Sequence, residues 1–310
     1  MIRKTRYLRI SVTDLCNQTC FFCHKEGCAE RGSLLSIEDF AFVCETARDL
    51  GFVKFKLTGG EPTVRDDICR LVEKLALLNL PDLSMITNGT TLEKLAPSLR
   101  TAGLKRINVT LNTLNEKRYK KINIGRHEPL ESIVRGVDSA IRAGFEDIKL
   151  NFVHAGRDSD CDFEEILNFA SQRGLMLVLL PVMLRNSDEF APNLQSLRKK
   201  LEQFGVNSVE DNEDLEGIKR LIITMKSGVK VLLRQDELGS RAPYTFCADC
   251  PDKERCKEGI FPLRLSAYGT LLPCLAGTRN RIELREAIDR RDKQAVTAAV
   301  NQIWGWQVDQ

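Results

Sequence analysis

The chain has 310 residues, 43% of them hydrophobic and 29% charged, which is typical of a globular protein with a sizeable core. Its formal net charge of +3 is too small to indicate a nucleic-acid-binding protein, and it contains no apolar run of about 18 residues that would predict a membrane span. The segment from Met1 to Lys4 lacks the apolar core of a signal peptide, so we expect a cytoplasmic protein. In a reducing compartment, eleven cysteines favour metal binding or catalysis over disulfides.

Strand-like and helix-like patterns alternate from residue 7 to about residue 183. The strand candidates are 7–12, 53–58, 83–87, 106–111, 147–153 and 176–182. The helical patterns between them are 36–50, 65–78, 92–102, 130–143 and 162–173. Such alternation predicts an α/β fold with parallel strands and crossover helices. Six units are fewer than a complete eight-unit barrel needs, so we expect an open, partial (β/α)6 barrel resembling a TIM barrel.

The first predicted strand leads into a stretch from Cys16 to Cys23 that contains three thiols in the spacing Cys-x3-Cys-x2-Cys. Cysteine thiolates select zinc or iron–sulfur clusters. A structural zinc site closes with four protein ligands, whereas three ligands leave one position open. His24 or Cys28 could supply a fourth ligand, so the spacing alone leaves both alternatives open.

The cysteine spacing after a first strand, with the aromatic Phe22 just before the last cysteine, resembles the radical S-adenosylmethionine (SAM) superfamily. The residues from Leu8 to Asn17 are similar to the GTP 3′,8-cyclase branch, which makes the first intermediate of molybdenum cofactor. The His24-Lys25-Glu26-Gly27 segment that follows resembles archaeal-type members of that branch. The likeness runs from about Leu8 to Gly156 and returns at Phe246 to Leu275.

The resemblance implies a [4Fe–4S] cluster held by Cys16, Cys20 and Cys23, with the fourth iron left to bind SAM. It implies that one electron from the reduced cluster cleaves SAM into methionine and a 5′-deoxyadenosyl radical, which abstracts a hydrogen from the substrate. It further implies a nucleotide or nucleoside substrate and a reductant of the flavodoxin or ferredoxin type. We expect neither a nucleic-acid nor a membrane partner.

Paired glycines follow the second predicted strand, in the segment from Thr58 to Pro62. Such glycines let a ligand approach the backbone closely, although the same residues could simply form a turn before a helix. The segment resembles the GGEP motif of the superfamily, whose backbone contacts the methionine amino group of SAM. The resemblance therefore implies cofactor-binding roles for Gly59, Gly60, Glu61 and Pro62.

Polar residues also stand at the ends of the next three strands. The resemblance implies that Asn88 faces the ribose of SAM and that Thr110 and Asn112 contact SAM. Asn151 in the fifth strand repeats the pattern and is expected to line the barrel mouth with them. The alternative is a lumen filled with polar groups that hydrogen-bond one another.

Cationic side chains alternate with bulky apolar ones in three of the strands. In the GTP 3′,8-cyclase branch, the matching positions meet the substrate triphosphate or assist the chemistry. The resemblance thus implies that Arg9 binds substrate and that Lys54, Lys56 and Lys149 are catalytic. Burying a cationic side chain inside a barrel is energetically unfavourable unless an anion binds next to it. A slip of one residue in strand register would instead place these side chains outside the barrel, in water.

The alternating pattern weakens after residue 183. Residues 188–216 are polar and acidic, and we expect a helix from Leu194 to Phe204 with connecting loops around it. Residues 221–225 and 229–233 flank Ser227-Gly228, which predicts a hairpin. The tail after residue 280 is charged and predicted to be helical. We divide the chain into a barrel domain, 1–205, and a C-terminal extension, 206–310.

A second group of thiols lies in the predicted extension: Cys247, Cys250, Cys256 and Cys274. Four thiols are the full set for a closed [4Fe–4S] cluster or for zinc, and spacing does not distinguish the two. The segment from Leu263 to Leu275 resembles the second-cluster region of the GTP 3′,8-cyclase branch, so we expect two [4Fe–4S] clusters in all. In that branch, three cysteines leave one iron open to the substrate base, a position that Cys256 could occupy here.

The chain departs from the branch at several positions. Pro262 stands where the branch has one of two substrate arginines, which leaves Arg264 as the expected substrate-binding residue. Val178 aligns with another arginine, and the sequence ends at Gln310 without the Gly-Gly tail that takes part in substrate turnover. The extension's cysteine spacing resembles peptide-modifying and nucleoside-modifying radical SAM enzymes. The alternatives to a nucleotide-directed enzyme are therefore a peptide-modifying enzyme with a closed auxiliary cluster and a zinc-binding protein that is not an enzyme.

Overall fold

A computed structural model of the chain describes residues 6–23, 32–124, 128–154, 159–181, 194–213, 219–234, 262–274 and 280–308. Six consecutive strands pair in parallel at the centre of one sheet. They are β1 (Tyr7–Ser11), β2 (Lys54–Thr58), β3 (Leu83–Thr87), β4 (Arg106–Thr110), β5 (Asp147–His154) and β6 (Met176–Pro181). The connecting helices are α1 (Ile37–Asp49), α2 (Ile68–Ala76), α3 (Leu92–Thr101), α4 (Glu116–Ile122), α5 (Leu130–Arg142) and α6 (Ser159–Gln172). The six strands and five helices predicted from the sequence are confirmed.

The later part of the chain extends this sheet at both edges. Its elements are α7 (Leu194–Gln203), β7 (Val206–Glu213), β8 (Lys219–Met225), β9 (Lys230–Arg234), β10 (Leu263–Leu265), β11 (Thr270–Leu272), β12 (Ile282–Glu283), α8 (Arg285–Asp289) and α9 (Lys293–Val308). The strand order is β12-β11-β10-β1-β2-β3-β4-β5-β6-β9-β8-β7. β9 pairs in parallel with β6, and β10 pairs in parallel with β1. Strands on both sides of residue 205 thus belong to one sheet, and the division into two domains stays a prediction.

The short strands β10, β11 and β12 were not predicted, and two longer elements were not foreseen either. The polar segment after α7, expected to be loop, is the edge strand β7, which pairs antiparallel with β8. Its side chains from Asn207 to Asp211 are exposed, and charged residues at a sheet edge oppose pairing with another molecule. The other missed element is α4, whose only buried residue is Tyr119, so it has no apolar periodicity to detect. Asn115 caps α4, since its Oδ1 accepts a hydrogen bond of 3.1 Å from the backbone N–H of Arg118.

The helices cover one face of the central sheet. Leu8 and Ile10 of β1 and Phe55 and Leu57 of β2 are buried in one core with helix residues such as Phe40. Burial of each such side chain contributes about 1.5–3 kcal/mol. Because side chains alternate along a strand, the residues between these apolar ones point to the opposite face, into the barrel lumen. No helix in the described ranges is long and apolar enough to span a bilayer.

Candidate active site

The strand register places the predicted cations on the lumen face. Arg9 is the register partner of Lys56, and both lie between core residues of their strands. Lys149 is the partner of Asn108 and precedes the core residue Leu150. Lys54 pairs with Tyr7, one step nearer the amino ends of the strands. The alternative register, with these side chains outside the barrel, does not occur.

The stretch that contains the three cysteines follows β1 and lies against the segment that follows α4. Cys20 and Asn123 form an antiparallel bridge, and the backbone N–H of Phe21 donates to the carbonyl of Ile122 at 3.0 Å. The N–H of Cys23 donates to the carbonyl of Cys20 at 3.1 Å, which closes a turn between the last two thiols. We call residues 13–23 the cysteine loop.

The three thiols differ in exposure. Cys16 and Cys23 are exposed, whereas Cys20 is half-buried. Burial raises the pKa of Cys16, and it raises the pKa of Cys20 to about 12. Among the described residues, no three His, Cys, Asp or Glu side chains are close enough to share a single metal ion. Cysteine thiolates are the protein ligands of iron–sulfur clusters, so a loop that offers three thiols fits such a cluster.

The paired glycines after β2 lie directly against the cysteine loop. The N–H of Gly60 donates to the carbonyl of Thr13 at 2.8 Å, and the N–H of Glu61 donates to the carbonyl of Leu15 at 2.7 Å. A Cβ on Gly59 would lie 2.3 Å from the oxygen of Thr13, and one on Gly60 would lie 2.1 Å from the oxygen of Leu15. The close approach that required glycine is therefore to the chain's own backbone, and the contact of this segment with SAM stays a prediction.

The side chain of Glu61 is turned into the protein and is 1% exposed. Its Oε1 accepts hydrogen bonds from the N–H and hydroxyl of Thr63 and from the hydroxyl of Thr87, at 3.1, 2.5 and 2.6 Å. Its Oε2 accepts from the N–H of Asn88 at 2.6 Å. Burial raises the pKa of Glu61, and these hydrogen bonds oppose the rise. Glu61 thus ties the end of β2 to the end of β3, while Pro62 begins a 3-10 turn, Pro62–Val64.

Asn88 links β3 to the cysteine loop. Its Nδ2 donates to Oδ1 of Asn17 at 2.8 Å, and the Nδ2 of Asn17 donates to the hydroxyl of Thr90 at 2.9 Å. Oδ1 of Asn88 accepts from the N–H of Thr90 at 3.1 Å. The residue expected at the SAM ribose therefore lies at the end of its strand, in contact with the residue that follows Cys16.

The polar residues of β4 and β5 bond one another. Nδ2 of Asn108 donates to Oδ1 of Asn151 at 3.2 Å, and the N–H of Val153 donates to Oδ1 of Asn112 at 2.7 Å. Thr110 is half-buried and is the register partner of Asn151. This network matches the polar-lumen alternative, and roles for Thr110, Asn112 and Asn151 in binding SAM stay predictions.

Cations from three adjacent strands form a row across the lumen. Arg264 is the register partner of Arg9, which is in turn the partner of Lys56. Arg264 is 3% exposed, and its Nη1 donates to the carbonyl of Pro262 at 3.3 Å. Nη1 of Arg9 lies 3.5 Å from the hydroxyl of Tyr7, and Nζ of Lys56 lies 5.8 Å from the centre of the Tyr7 ring. We call Arg9, Lys56 and Arg264 the cationic row.

Lys149 lies apart from the cationic row. Its Nζ is 3.3 Å from Oδ2 of Asp147, which also contacts Nη1 of Arg106 at 3.1 Å. Nε of Arg106 donates to Asp82 at 2.9 Å. The structure therefore places Lys149 in a mixed-charge cluster on another part of the lumen, and a catalytic role for it stays a prediction.

Sequence reasoning missed three contacts that position the cysteine loop. Near α4, Nε2 of Gln18 donates to the hydroxyl of Tyr119 at 2.6 Å, and Sγ of Cys20 lies 3.0 Å from Oδ1 of Asn123. In the turn between β10 and β11, the hydroxyl of Tyr268 donates to Oδ2 of Asp14. These partners are distant in sequence and belong to no local motif, so a single sequence carries no signal for them.

One member of the second cysteine group is described. Cys274 is half-buried and lies two residues after β11. The other three, Cys247, Cys250 and Cys256, lie outside the described residues, as do His24 and Cys28.

Comparison with known proteins identifies the family. A profile of the radical SAM superfamily matches residues 10–170, which is more than half of the chain. The chain belongs to the radical SAM superfamily. It is therefore an enzyme, and the family implies a [4Fe–4S] cluster and SAM, which such enzymes cleave reductively. The alternative of a zinc-binding protein without enzymatic activity is wrong for this reason, and the expectation of an enzyme is confirmed.

The radical SAM chain has similar relatives over nearly its whole length. A probable GTP 3′,8-cyclase of Methanothermobacter marburgensis is 32% identical and aligns over 93% of this chain and 90% of its own. A probable GTP 3′,8-cyclase of Pyrococcus abyssi is also 32% identical and aligns over 93% of both chains. These relatives confirm the resemblance to that branch.

Solved structures support the fold of this radical SAM enzyme. SuiB of Streptococcus suis bound to S-adenosylmethionine matches with a TM-score of 0.64 at 15% identity, over 96% of this chain and 68% of SuiB. Native anSMEcpe with bound AdoMet and Cp18Cys peptide matches with a TM-score of 0.65 at 12% identity, over 98% of this chain and 82% of that one. The predicted partial TIM barrel is confirmed.

Proposed function

We propose that this radical SAM enzyme acts on a purine nucleoside triphosphate, in a reaction like that of GTP 3′,8-cyclase. The curated relatives are named for a ring closure between the 3′ and 8 positions of GTP. In this proposal, the cationic row and Lys54 bind the phosphates, and Lys149 assists the chemistry from the other part of the lumen. The polar residues at the strand ends hold SAM beside the cysteine loop.

The observation that carries the proposal is the cationic row. Adjacent strands lie about 4.8 Å apart, so the Cα atoms of Arg264, Arg9 and Lys56 fall within roughly 10 Å. Three cationic side chains gathered this close on one face of the lumen suit a ligand that carries several negative charges. A triphosphate offers several oxygens to such a row, and guanidinium groups bind phosphate oxygens in pairs.

The cysteine loop and its neighbours would hold the first cluster and SAM. Cys16, Cys20 and Cys23 supply the thiolates, and the open position beside them would receive SAM. When bound and reduced, this pair of groups supplies the radical that abstracts hydrogen. In this proposal, the residues that orient the cofactor and exclude water follow or end the strands: Gly59, Gly60, Glu61 and Pro62 after β2, Asn88 after β3, Thr110 and Asn112 at the end of β4, and Asn151 in β5.

A second [4Fe–4S] cluster forms part of the proposal. Cys274 follows β11, and β11 pairs with β10, which carries Arg264 of the cationic row. With Cys247, Cys250 and Cys256 as its other ligands, this cluster would lie on the substrate side of the lumen. Anaerobically reconstituted protein should then bind about eight irons per chain, and the Cys274→Ala variant should bind about four. Equal iron content in the two proteins would contradict the second cluster.

The substrate is tested by isotope transfer. Reconstituted enzyme is given SAM, dithionite and GTP deuterated at C3′, with ATP and candidate peptides in parallel. We expect GTP to stimulate 5′-deoxyadenosine formation and deuterium to appear in that product. Peptides belong in the screen because the buried Val178 and Pro262 stand where the GTP 3′,8-cyclase branch has arginines. Stimulation by a peptide, with no transfer of deuterium from GTP, would overturn the proposal.

A substitution in the cationic row tests the phosphate site. Lys56→Ala should raise the KM for GTP about 10- to 100-fold, because one charge-assisted hydrogen bond is lost. Cleavage of SAM without substrate should persist in this variant. Lys74→Ala, at an exposed position in the last turn of α2, is the matched control and should leave both quantities unchanged.

A further inference from the structure

The short helix α4 presents unpaired positive charge. It contains four cationic side chains and one acidic one. Arg118 is bound to Asp162 at 2.6 Å. Lys120 lies 3.4 Å from Glu116, in an exposed pair that water screens. The remaining two, Lys117 and Lys121, are exposed and form no ion pair with another described residue, and a spacing of four places them on one side of the helix.

This helix is held beside the cysteine loop. At its far end, Asn123 bridges Cys20, and Tyr119 accepts a hydrogen bond from Gln18 at 2.6 Å. At its start, Asp162 of α6 binds both Arg118 and the hydroxyl of Thr113. Because both ends are fixed, the two free lysines keep a constant position relative to the thiol that Cys20 offers to the first cluster.

An exposed apolar residue separates the lysines from the loop. Ile124 is 61% exposed, and its N–H donates to the carbonyl of Thr19, which is also exposed, at 2.8 Å. We call Lys117, Lys121, Ile124 and Thr19 the α4 surface. The α4 surface is exposed and positively charged, so it can meet an acidic protein without rearrangement.

We propose that the α4 surface is the docking site of the protein that reduces the first cluster, and that this partner is an acidic electron-transfer protein of the flavodoxin or ferredoxin type. The inference rests on the radical SAM reaction set out above, which consumes one electron per SAM. That electron leaves the reduced cofactor of the partner, enters the cluster site next to Cys20, and breaks the bond between sulfur and C5′ of SAM. Methionine and the 5′-deoxyadenosyl radical are the products, and the partner is left oxidised by one electron.

Charge and position together select this partner. An acidic protein is drawn to exposed lysines at rates that depend on ionic strength, because complementary charges steer the encounter. The α4 surface adjoins Cys20, because Ile124 bonds to Thr19 and Asn123 bridges Cys20, so docking there brings the donor close to the cluster. Exposed lysines at the opposite end of the sheet are far from Cys20, so a donor docked there would be far from the cluster.

The test is a charge reversal with a matched control. The test variant is Lys117→Glu/Lys121→Glu. The control is Lys74→Glu/Lys226→Glu, which makes the same change in net charge at two exposed positions. Lys74 is in the last turn of α2, and Lys226 is in the turn before β9, so both lie toward the amino ends of the parallel strands.

Formation of 5′-deoxyadenosine is measured with three electron donors: dithionite, a reduced acidic flavodoxin and a reduced acidic ferredoxin. With dithionite, we expect all three enzymes to agree within about twofold, which also shows that the variants fold and carry the cluster. With a limiting amount of protein donor, we expect the α4 variant to lose about tenfold or more while the control keeps its rate. The protein donor with which the α4 variant loses its rate, flavodoxin or ferredoxin, identifies the class of the partner.

Ionic strength gives an independent reading. The wild-type rate with the protein donor should fall as sodium chloride is raised, and the rate of the α4 variant should respond much less. The salt dependence of the neutral Lys117→Gln/Lys121→Gln variant should lie between that of wild type and that of the α4 variant. Equal rates for the α4 variant and the control, or a wild-type rate insensitive to salt with both protein donors, would overturn the docking site. Failure of the radical SAM reaction is distinguishable, because dithionite-driven cleavage would then be absent as well.

Discussion

The hydroxyl of Tyr268 donates a hydrogen bond to Oδ2 of Asp14 at 2.6 Å and joins residues 254 positions apart. Tyr268 lies in the turn between β10 and β11, and Asp14 lies two residues before Cys16. In the same turn, the carbonyl of Ala267 accepts from the N–H of Leu35 at 2.8 Å. The hairpin that carries Arg264 and leads to Cys274 is therefore fixed to the loop that carries the first set of thiols.

Tyr268→Phe should loosen this attachment. Loss of one hydrogen bond to a carboxylate should lower the free energy of unfolding of the metal-free protein by about 1–2 kcal/mol, measured by urea denaturation. Iron at the first site should also be lost faster to a chelator. A double-mutant cycle with Asp14→Asn isolates the contact, and a coupling energy near zero would mean that the hydrogen bond does not hold the loop.

Gly60→Ala should disrupt the cysteine loop. The new Cβ would meet the carbonyl oxygens of Leu15 and Asp14 at 2.1 and 2.6 Å, so the backbone must move. We expect a loss of about 2 kcal/mol or more in the free energy of unfolding, and less iron per reconstituted chain. Gly144→Ala is the control, because its Cβ would meet nothing within 4 Å and the variant bears only the backbone cost of a positive φ. Normal iron content in Gly60→Ala would contradict the tight contact.

Glu61→Gln should destabilise the protein by about 1–3 kcal/mol. Four donors surround the carboxylate, and the amide nitrogen of glutamine would point a hydrogen at one of them instead of accepting. Thermal and urea denaturation measure the loss. Glu73→Gln, at an exposed position of α2, should change the free energy of unfolding by less than about 0.5 kcal/mol.

Glu61 should also leave a signature in the pH dependence of stability. Burial raises its pKa in the folded protein above the ordinary value of 4.5, so the folded state holds this proton to a higher pH than the unfolded state does. Its contribution to stability is therefore complete below pH 4.5 and is lost as pH rises through the folded pKa. The advantage of wild type over Glu61→Gln should therefore shrink as pH rises above 4.5. An advantage that grows with pH would show that the four donors hold the group ionised.

Alternation and spacing within one stretch of chain predicted the barrel and the first thiol group. The period-two pattern around Arg9 and Lys56 identified their strands, but the sequence left open which face they share. The structure decides this, because Leu8, Ile10, Phe55 and Leu57 are buried beneath the helices. Arg9 and Lys56 face the lumen because the apolar residues on either side of them are buried against the helices.

Contacts between distant polar residues could not be predicted. Tyr268 and Asp14, or Cys20 and Asn123, meet only because β10 pairs with β1 and because α4 follows β4 on the same side of the sheet. The acidic segment from Val206 to Glu213 was likewise misjudged, since an exposed edge strand needs no apolar face. Hydrophobic periodicity in the sequence indicates which residues are buried. The contacts between distant residues and the edge strand depend instead on which strands pair with each other.

The contact between Asn123 and Cys20 leads to the last prediction. Sγ of Cys20 donates to Oδ1 of Asn123 at 3.0 Å, while Nδ2 of Asn123 donates to the carbonyl of Tyr119 at 3.2 Å. A sulfur that ligates iron carries no hydrogen and can only accept. In the loaded enzyme, we expect the amide of Asn123 to turn its N–H toward that sulfur, which gives up its hydrogen bond to the carbonyl of Tyr119. A donor there stabilises the reduced, more negative cluster and raises its reduction potential.

Asn123→Ala should consequently lower the midpoint potential of the first cluster, and Asn123→Asp, which adds a negative charge and cannot donate, should lower it further. Redox titration followed by electron paramagnetic resonance measures the potential directly, without reference to turnover. Asn168→Ala, at an exposed position of α6, should leave it unchanged. If both Asn123 variants kept the wild-type potential, Asn123 would act only through its backbone bridge to Cys20. A residue that merely anchors the loop does not favour one oxidation state of the cluster over the other.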